Sequence, residues 1–318
     1  MATTHDDVYP ERSGRAWRRV LIAIGVLLLA VVVYFVGGAI WVHSIDDEPL
    51  FGASVTVPDN ASRAVAVAAD LIDREVNQNR WVANDPPFMP GYLLDNMPAY
   101  QEGMLSAIGR FTTELRDRAA RIRGSSAVDP DLESAAGRIN YPGDVWIFEW
   151  SGTPVQPSSE SQYRRGLADL RHYNERLAQG QAVFERRADN FSAMLDRISD
   201  DLGAASAALT QEVDEGTTHF LDFNADNLFY TVKGKVYAYY LILRELEQDY
   251  ASVIKERNLT ASWSELLHSL RLGATLHPWM VSNGPLDSQA TPNHLAAQGF
   301  LLLRVRTKLE EIINILQT

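Results

Sequence analysis

Residues 159–209 read SESQYRRGLADLRHYNERLAQGQAVFERRADNFSAMLDRISDDLGAASAAL, and the reading of this stretch decides the fold class. From Tyr163 through Leu167, Leu170, Asn174, Leu177, Gln181, Phe184, Ala188, Phe191, Leu195, Ile198 and Leu202 to Leu209, seam positions recur at steps of four and three. That spacing keeps them on one face of an α-helix, and it is sustained for about seven heptads. A continuous helix over 159–213 would reach about 75 Å at roughly 1.5 Å per residue. Asn174 and Gln181 are polar seam residues and Gly180 lies beside the second. The competing reading is therefore two ordinary helices with a break at Gly180. Ser159 with Gln162 three residues on fits a capping box at the start.

Helical periodicity extends to both sides. A helix is expected over 61–79, with Val65, Ala68, Ala69, Ile72 and Val76 along one face. Another is expected over 99–123, with Met104, Ile108, Phe111, Leu115 and Ile122. Between them, 80–98 holds Pro86, Pro87, Pro90, Gly91 and Pro98 and cannot be helical throughout. Asp129 before Pro130 marks a short helix over 130–138. The segment DVWIFEW (144–150) is the best strand candidate, or else an aromatic plug on the bundle. Downstream, helices are expected over 225–257, where Lys233, Gly234 and Lys235 interrupt the polarity pattern. Two more run from Thr260 or Ser262 to about 272, and from a Thr291 cap with Pro292 to the C-terminus. The fold class is mainly α: a helical bundle with one long heptad-patterned helix.

Upstream, residues 20–42 read VLIAIGVLLLAVVVYFVGGAIWV, an uncharged run of the length that crosses about 30 Å of hydrocarbon. Arg12, Arg15, Arg18 and Arg19 precede it, and Asp46, Asp47 and Glu48 follow. The positive-inside rule then keeps the N-terminus cytoplasmic and the bulk of the chain on the far side. Gly37 and Ala39 would suit a signal cleavage site, but a signal core of about 7–15 apolar residues is shorter than this run. The expected organisation is a cytoplasmic tail (1–19), a transmembrane helix (20–42), an extended linker (43–60) and a periplasmic helical domain (61–318). Gly25, Gly37 and Gly38 leave room for a second transmembrane helix, so homo-oligomerisation is open.

Composition limits the function. With 46% hydrophobic residues the chain can bury a core, and its net charge of -12 repels nucleic-acid phosphate. An acidic domain is also pushed from an anionic leaflet. The absence of cysteine excludes disulfides, thiolate metal sites and a cysteine nucleophile.

The runs PGYLLDNMP (90–98), RGSS (123–126), SSESQYRRGL (158–167), FERRADN (184–190) and PNHLAAQGFLLLRVRTKL (292–309) resemble a proteobacterial domain-of-unknown-function family of single-pass inner-membrane proteins. The similarity covers the chain from the membrane helix onward. That resemblance implies topology and bacterial origin only, because the family carries no assigned activity, and it transfers no catalytic residue.

Candidate chemistry is sparse. His219, Asp222 and Asp226 fall within eight residues and are a weak candidate ligand set for zinc or manganese, although acidic helix entrances are commonly caps. His277 and His294 could converge with Asp287. No G-x-S-x-G elbow and no phosphate-binding glycine loop occurs. No cofactor is expected. Trp81, Asp85, Phe88, Tyr92, Asp95 and Tyr100, in and around the proline-rich stretch, are the interaction candidates, since long loops in compact domains are often functional. The leading expectation is a membrane-anchored, noncatalytic periplasmic scaffold that binds an envelope protein. The alternative is an anchored periplasmic hydrolase, with or without a metal ion, acting on envelope polymers.

Overall fold

The computed structural model describes residues 12–42, 44–54, 56–122, 128–148, 155–215, 223–285 and 292–318, and the described residues contain ten α-helices and no β-strand. Helix α1 (Arg12–Val42) is long and apolar enough to cross a membrane, and its apolar window is not buried in the bundle. The bundle comprises α2 (Arg63–Asp73), α3 (Asn96–Ile122), α4 (Pro130–Ile139), α5 (Ser159–Ala178), α6 (Ala188–Glu215), α7 (Phe223–Asp249), α8 (Ala251–Glu256), α9 (Thr260–Ala274) and α10 (His294–Gln317).

Helix α7 is the centre. A helix apolar on every side must be enclosed on every side, and α7 is buried continuously from Val236 to Leu243. Helices α2, α3 and α9 pack on it, while α6 pairs with α10 and α4 with α5. Where α3 crosses α7, two glycines face opposite backbones. A Cβ on Gly103 would overlap the carbonyl of Thr231, and one on Gly234 the carbonyl of Tyr100. The interruption at Lys233, Gly234 and Lys235 is thus the crossing point itself.

The heptad run does not form one helix. It divides into α5 and α6, with Gly180 at φ +72° just past the C-terminus of α5. The left-handed conformation there lets the Gln181 and Ala182 amides close onto the Arg176 carbonyl, and Tyr173 donates to the Val183 carbonyl at 2.9 Å. The four-and-three stepping carries across the turn, but α5 packs on α4 and α2 and α6 on α10. Asn174 serves neither a bend nor a coiled-coil seam: its amide pairs with the Ser62 backbone N–H and carbonyl at 2.8 and 3.1 Å.

Other boundaries shift for local reasons. Ser158, one residue ahead of the expected start, caps α5, because the Ser159 hydroxyl is turned to the Pro142 carbonyl instead. Asp129 caps α4 as expected. The 61–79 helix ends its α-turns at Asp73 and continues as a π-turn (Arg74–Gln78). The 225–257 helix breaks at Tyr250. Asn293 caps α10 by accepting from the Ala296 amide at 2.7 Å, and Thr291 lies outside the described residues. Within 144–148 the chain is not a strand, and it does not fill the bundle as a plug either: Trp146 stacks edge-on against Phe88 and Phe148, centroids 5.7 and 5.4 Å apart, in an aromatic cluster at the surface whose two phenylalanines are exposed; residues 149 and 150 lie outside the described residues.

Candidate functional site

A dense set of polar contacts lies where the segment after α1 meets the bundle. Residues 46–51, expected as part of an extended linker, are docked between α2, α3 and α7. The Tyr100 hydroxyl donates to the Asp46 carbonyl at 2.9 Å and the Tyr237 hydroxyl to the Glu48 carbonyl at 3.0 Å. Arg244 donates to the carbonyls of Pro49 and Phe51 at 2.7 and 2.6 Å. The Asp46 carboxylate lies 3.3 Å from Arg74, whose guanidinium sits 4.7 Å over the Phe51 ring and 5.3 Å over that of Tyr237. Gly52, at φ +74°, turns the chain away.

Asp47 is held from two sides. Its carboxylate lies 2.8 Å from Lys233 Nζ, which is buried, and 2.7 Å from Nε2 of the exposed His277. Lys233 also donates to the Leu276 carbonyl at 2.7 Å. Burial pulls the Lys233 ammonium below the ordinary lysine range while Asp47 opposes that shift. Arg74 is desolvated too, yet Glu75, Tyr237, Tyr100 and Asp46 around it outweigh the burial and raise its pKa. Glu75 is in turn held by Arg74 at 2.7 Å and by the Gln101 amide at 2.9 Å. Buried charges of this kind persist only when paired and hydrogen-bonded; for Lys233 the paired carboxylate is Asp47 of the segment leaving α1, and for Arg74 it is Glu75, with Asp46 of that segment as a second, longer contact.

The six interaction candidates divide. Trp81 and Tyr100 are core residues, 1% and 0% exposed; Trp81 donates to the Gly143 carbonyl and stacks edge-on against Tyr163. Asp85 is paired with Arg80 at 2.7 Å, and burial raises its carboxyl pKa. Asp95 accepts from the Asn96 amide. Phe88 and Tyr92 alone among the six point outward, 58% and 55% exposed. They border a cleft of about 810 Å³ lined also by Pro86, Pro87, Trp146 and Phe148. The same loop touches α1: Tyr34 donates to the Phe88 carbonyl at 3.3 Å, and Gly38, lacking a Cβ, admits the Pro90 ring.

Of the three candidate metal ligands only Asp226 is among the described residues. His219 and Asp222 lie outside them. Asp226, in the first turn of α7, is hydrogen-bonded by Asn96, and burial with the nearby Asp95 carboxylate pushes its pKa up to about 6. No group of three or more histidines and carboxylates is placed to hold a metal ion among the described residues. His277 grips Asp47 and His294 accepts from the Ser282 amide at 3.1 Å, so the two serve separate contacts, while Asp287 lies outside the described residues.

Sequence reasoning missed the clamp on residues 46–51. A signal for it existed: three acids directly after the apolar run, and a lysine on the buried face of a central helix that needs an acid partner.

The molecule is thus a helical-bundle protein carrying one N-terminal helix long and apolar enough to span a membrane. Residues 13–224 match the bacterial family described as "Uncharacterized protein conserved in bacteria (DUF2333)", and the chain belongs to that family. No curated protein and no solved structure matches it. The matched segment ends at the start of α7, on which α2 and α3 pack, so the folded unit extends past it.

Proposed function

We propose that this protein is a membrane-anchored helical scaffold of the bacterial envelope, without catalytic activity, that binds a protein partner. In this reading α1 spans the inner membrane with its N-terminus in the cytoplasm, and the bundle stands in the periplasm. The observation that carries it is the clamp. A helix that served only as a tether would leave through a solvated linker, whereas here the segment after α1 is fixed by two buried cations and by hydrogen bonds from Tyr100, Tyr237 and Arg244. Such an attachment gives the bundle one height and one orientation over the bilayer, which is what a scaffold requires. The surface offered to the partner is the outer face of α10, where Phe300 and Leu303 lie one turn apart and exposed, away from the buried seam of Leu295, Leu302 and Leu309.

A photo-crosslinking residue at Phe300 in the full chain, expressed in cells, tests the partner. A discrete adduct absent when the crosslinker is moved to the exposed Arg165 is expected. Adducts at both positions or at neither would remove the scaffold reading. Thiol labelling tests topology: a cysteine introduced at Arg165 should react with an impermeant reagent added from the periplasmic side, and protection there until the membrane is opened would reverse it.

A further inference from the structure

The exposed aromatic loop sits at a particular height on α1. Tyr34 and Gly38, which touch Phe88 and Pro90, lie eight and four residues before the end of the helix, about 12 and 6 Å along its axis. The apolar run 20–42 is about 34 Å long, against about 30 Å of hydrocarbon. If α1 spans the bilayer, the loop therefore does not lie above the membrane. It reaches beside the last turns of the helix, from the headgroups to about 10 Å into the acyl chains.

Its chemistry suits that depth. Residues 86–94, PPFMPGYLL, contain no charged side chain. Pro86, Pro87 and Pro90 have no N–H to satisfy, and the amides of Met89, Tyr92 and Leu94 close turns within the loop at 2.8, 3.2 and 3.0 Å. Backbone groups turned inward are the condition for irregular chain at membrane depth. The side chains of Phe88, Tyr92, Leu93 and Phe148 remain largely exposed, and aromatic residues favour the membrane interface. Trp279, almost wholly exposed and two residues past the His277 that holds Asp47, brings another aromatic to the end of the molecule where α1 departs.

We propose that residues 86–94, with Phe148, form an apolar foot that inserts into the lipid leaflet from which α1 emerges, so that the bundle is seated on the membrane at a second point. The occupant of this surface is lipid hydrocarbon, because the surface is continuous with the lipid-facing side of α1 through the Tyr34 and Gly38 contacts. Insertion is apolar and needs no attraction between the acidic domain and anionic headgroups. It rests on the reading of α1 as a membrane span.

The absence of native cysteine makes the test direct. Single-cysteine full-length variants Val33→Cys, Leu93→Cys, Tyr92→Cys and Arg165→Cys, labelled with an environment-sensitive fluorophore, are reconstituted in vesicles of phosphatidylethanolamine and phosphatidylglycerol with and without nitroxide-labelled acyl chains. Loss of most emission to the nitroxide at Val33, Leu93 and Tyr92, and none at Arg165, is expected. All four positions are exposed, so labelling leaves the core intact. Quenching at Val33 with Leu93 and Tyr92 behaving like Arg165 overturns the foot and leaves the membrane span standing. No quenching at Val33 overturns the span itself. A blue-shifted but unquenched Leu93 label would assign the loop to a protein neighbour and also overturn the foot.

Discussion

Replacing Lys233 by methionine removes one charge from the clamp and leaves an unbranched side chain one heavy atom shorter, and its consequences can be worked from the contacts. Lys233 is buried and holds the Asp47 carboxylate at 2.8 Å and the Leu276 carbonyl at 2.7 Å. Breaking a buried ion pair by removing one partner costs about 3–5 kcal/mol, because the other charge stays behind uncompensated. Asp47 keeps His277 at 2.7 Å and some solvent contact, which places the expected cost near the lower end, about 3 kcal/mol. Adding Asp47→Asn removes the stranded charge, so the double variant should recover more than half of that loss, an interaction energy well outside the roughly 0.5 kcal/mol of independent sites. The effect should also be local. Hydrogen exchange of residues 44–54, where the Phe51 and Ala53 amides bond to the Glu48 and Leu50 carbonyls, should accelerate in Lys233→Met while α3 and α7 stay slow. Denaturant titration of the full chain in mild detergent reads the first quantity and mass-resolved exchange the second. A Lys233→Met protein within about 0.5 kcal/mol of the parent, with unchanged exchange over 44–54, would refute the claim that this pair holds the segment.

Gly234→Ala should lower the melting temperature sharply, since its Cβ meets the Tyr100 backbone and the helices must separate; overpacking of this kind costs about 1–3 kcal/mol or more. Gly137→Ala in α4, where the added Cβ meets nothing, should raise it through a helix-propensity gain of about 1 kcal/mol in stability, and equal effects of the two changes would contradict the crossing geometry. Asp226 has a folded-state pKa raised to about 6 from 3.8, so its contribution is present below about pH 4 and is lost as pH rises through 6. Asp226→Asn should therefore stabilise the protein at pH 7–8, by no more than about 2 kcal/mol given its partial exposure, and do nothing at pH 4; a pH-independent change in the melting curve would count against it.

Much of the bundle was legible because helices are local. The faces of α2 and α3, the Asp129 cap and the irregularity of 80–98 all follow from spacing and proline placement within a dozen residues. The division of 159–213 was visible only as an alternative, since a heptad phase can persist through a turn and only the left-handed Gly180 distinguishes the cases. What was not legible is what depends on distant pairing. Asp46 meets Arg74 and Asp47 meets Lys233, separated by one helix in the first case and most of the chain in the second, so 43–60 looks like any polar linker. Trp81 and Tyr100 shared a proline-rich neighbourhood with Phe88 and Tyr92, yet the first pair fills the core and the second faces outward; composition cannot separate them, because the difference is set by distant partners, Tyr163 and Gly143 for Trp81 and Tyr237 for Tyr100. The crossing of Gly103 and Gly234 is likewise two unremarkable glycines until the helices are brought together.

The clamp at residues 46–51 is expected to make one rigid body of α1 and the bundle. It is tested most directly by the distance distribution between spin labels at Ile40→Cys on α1 and Phe300→Cys on α10, both exposed, in the full chain reconstituted in lipid. A single narrow distribution that broadens when Lys233→Met and Arg74→Met are introduced is the predicted result. A broad distribution in the parent protein, unchanged by those substitutions, would show that the bundle swings freely from its helix and would contradict the account.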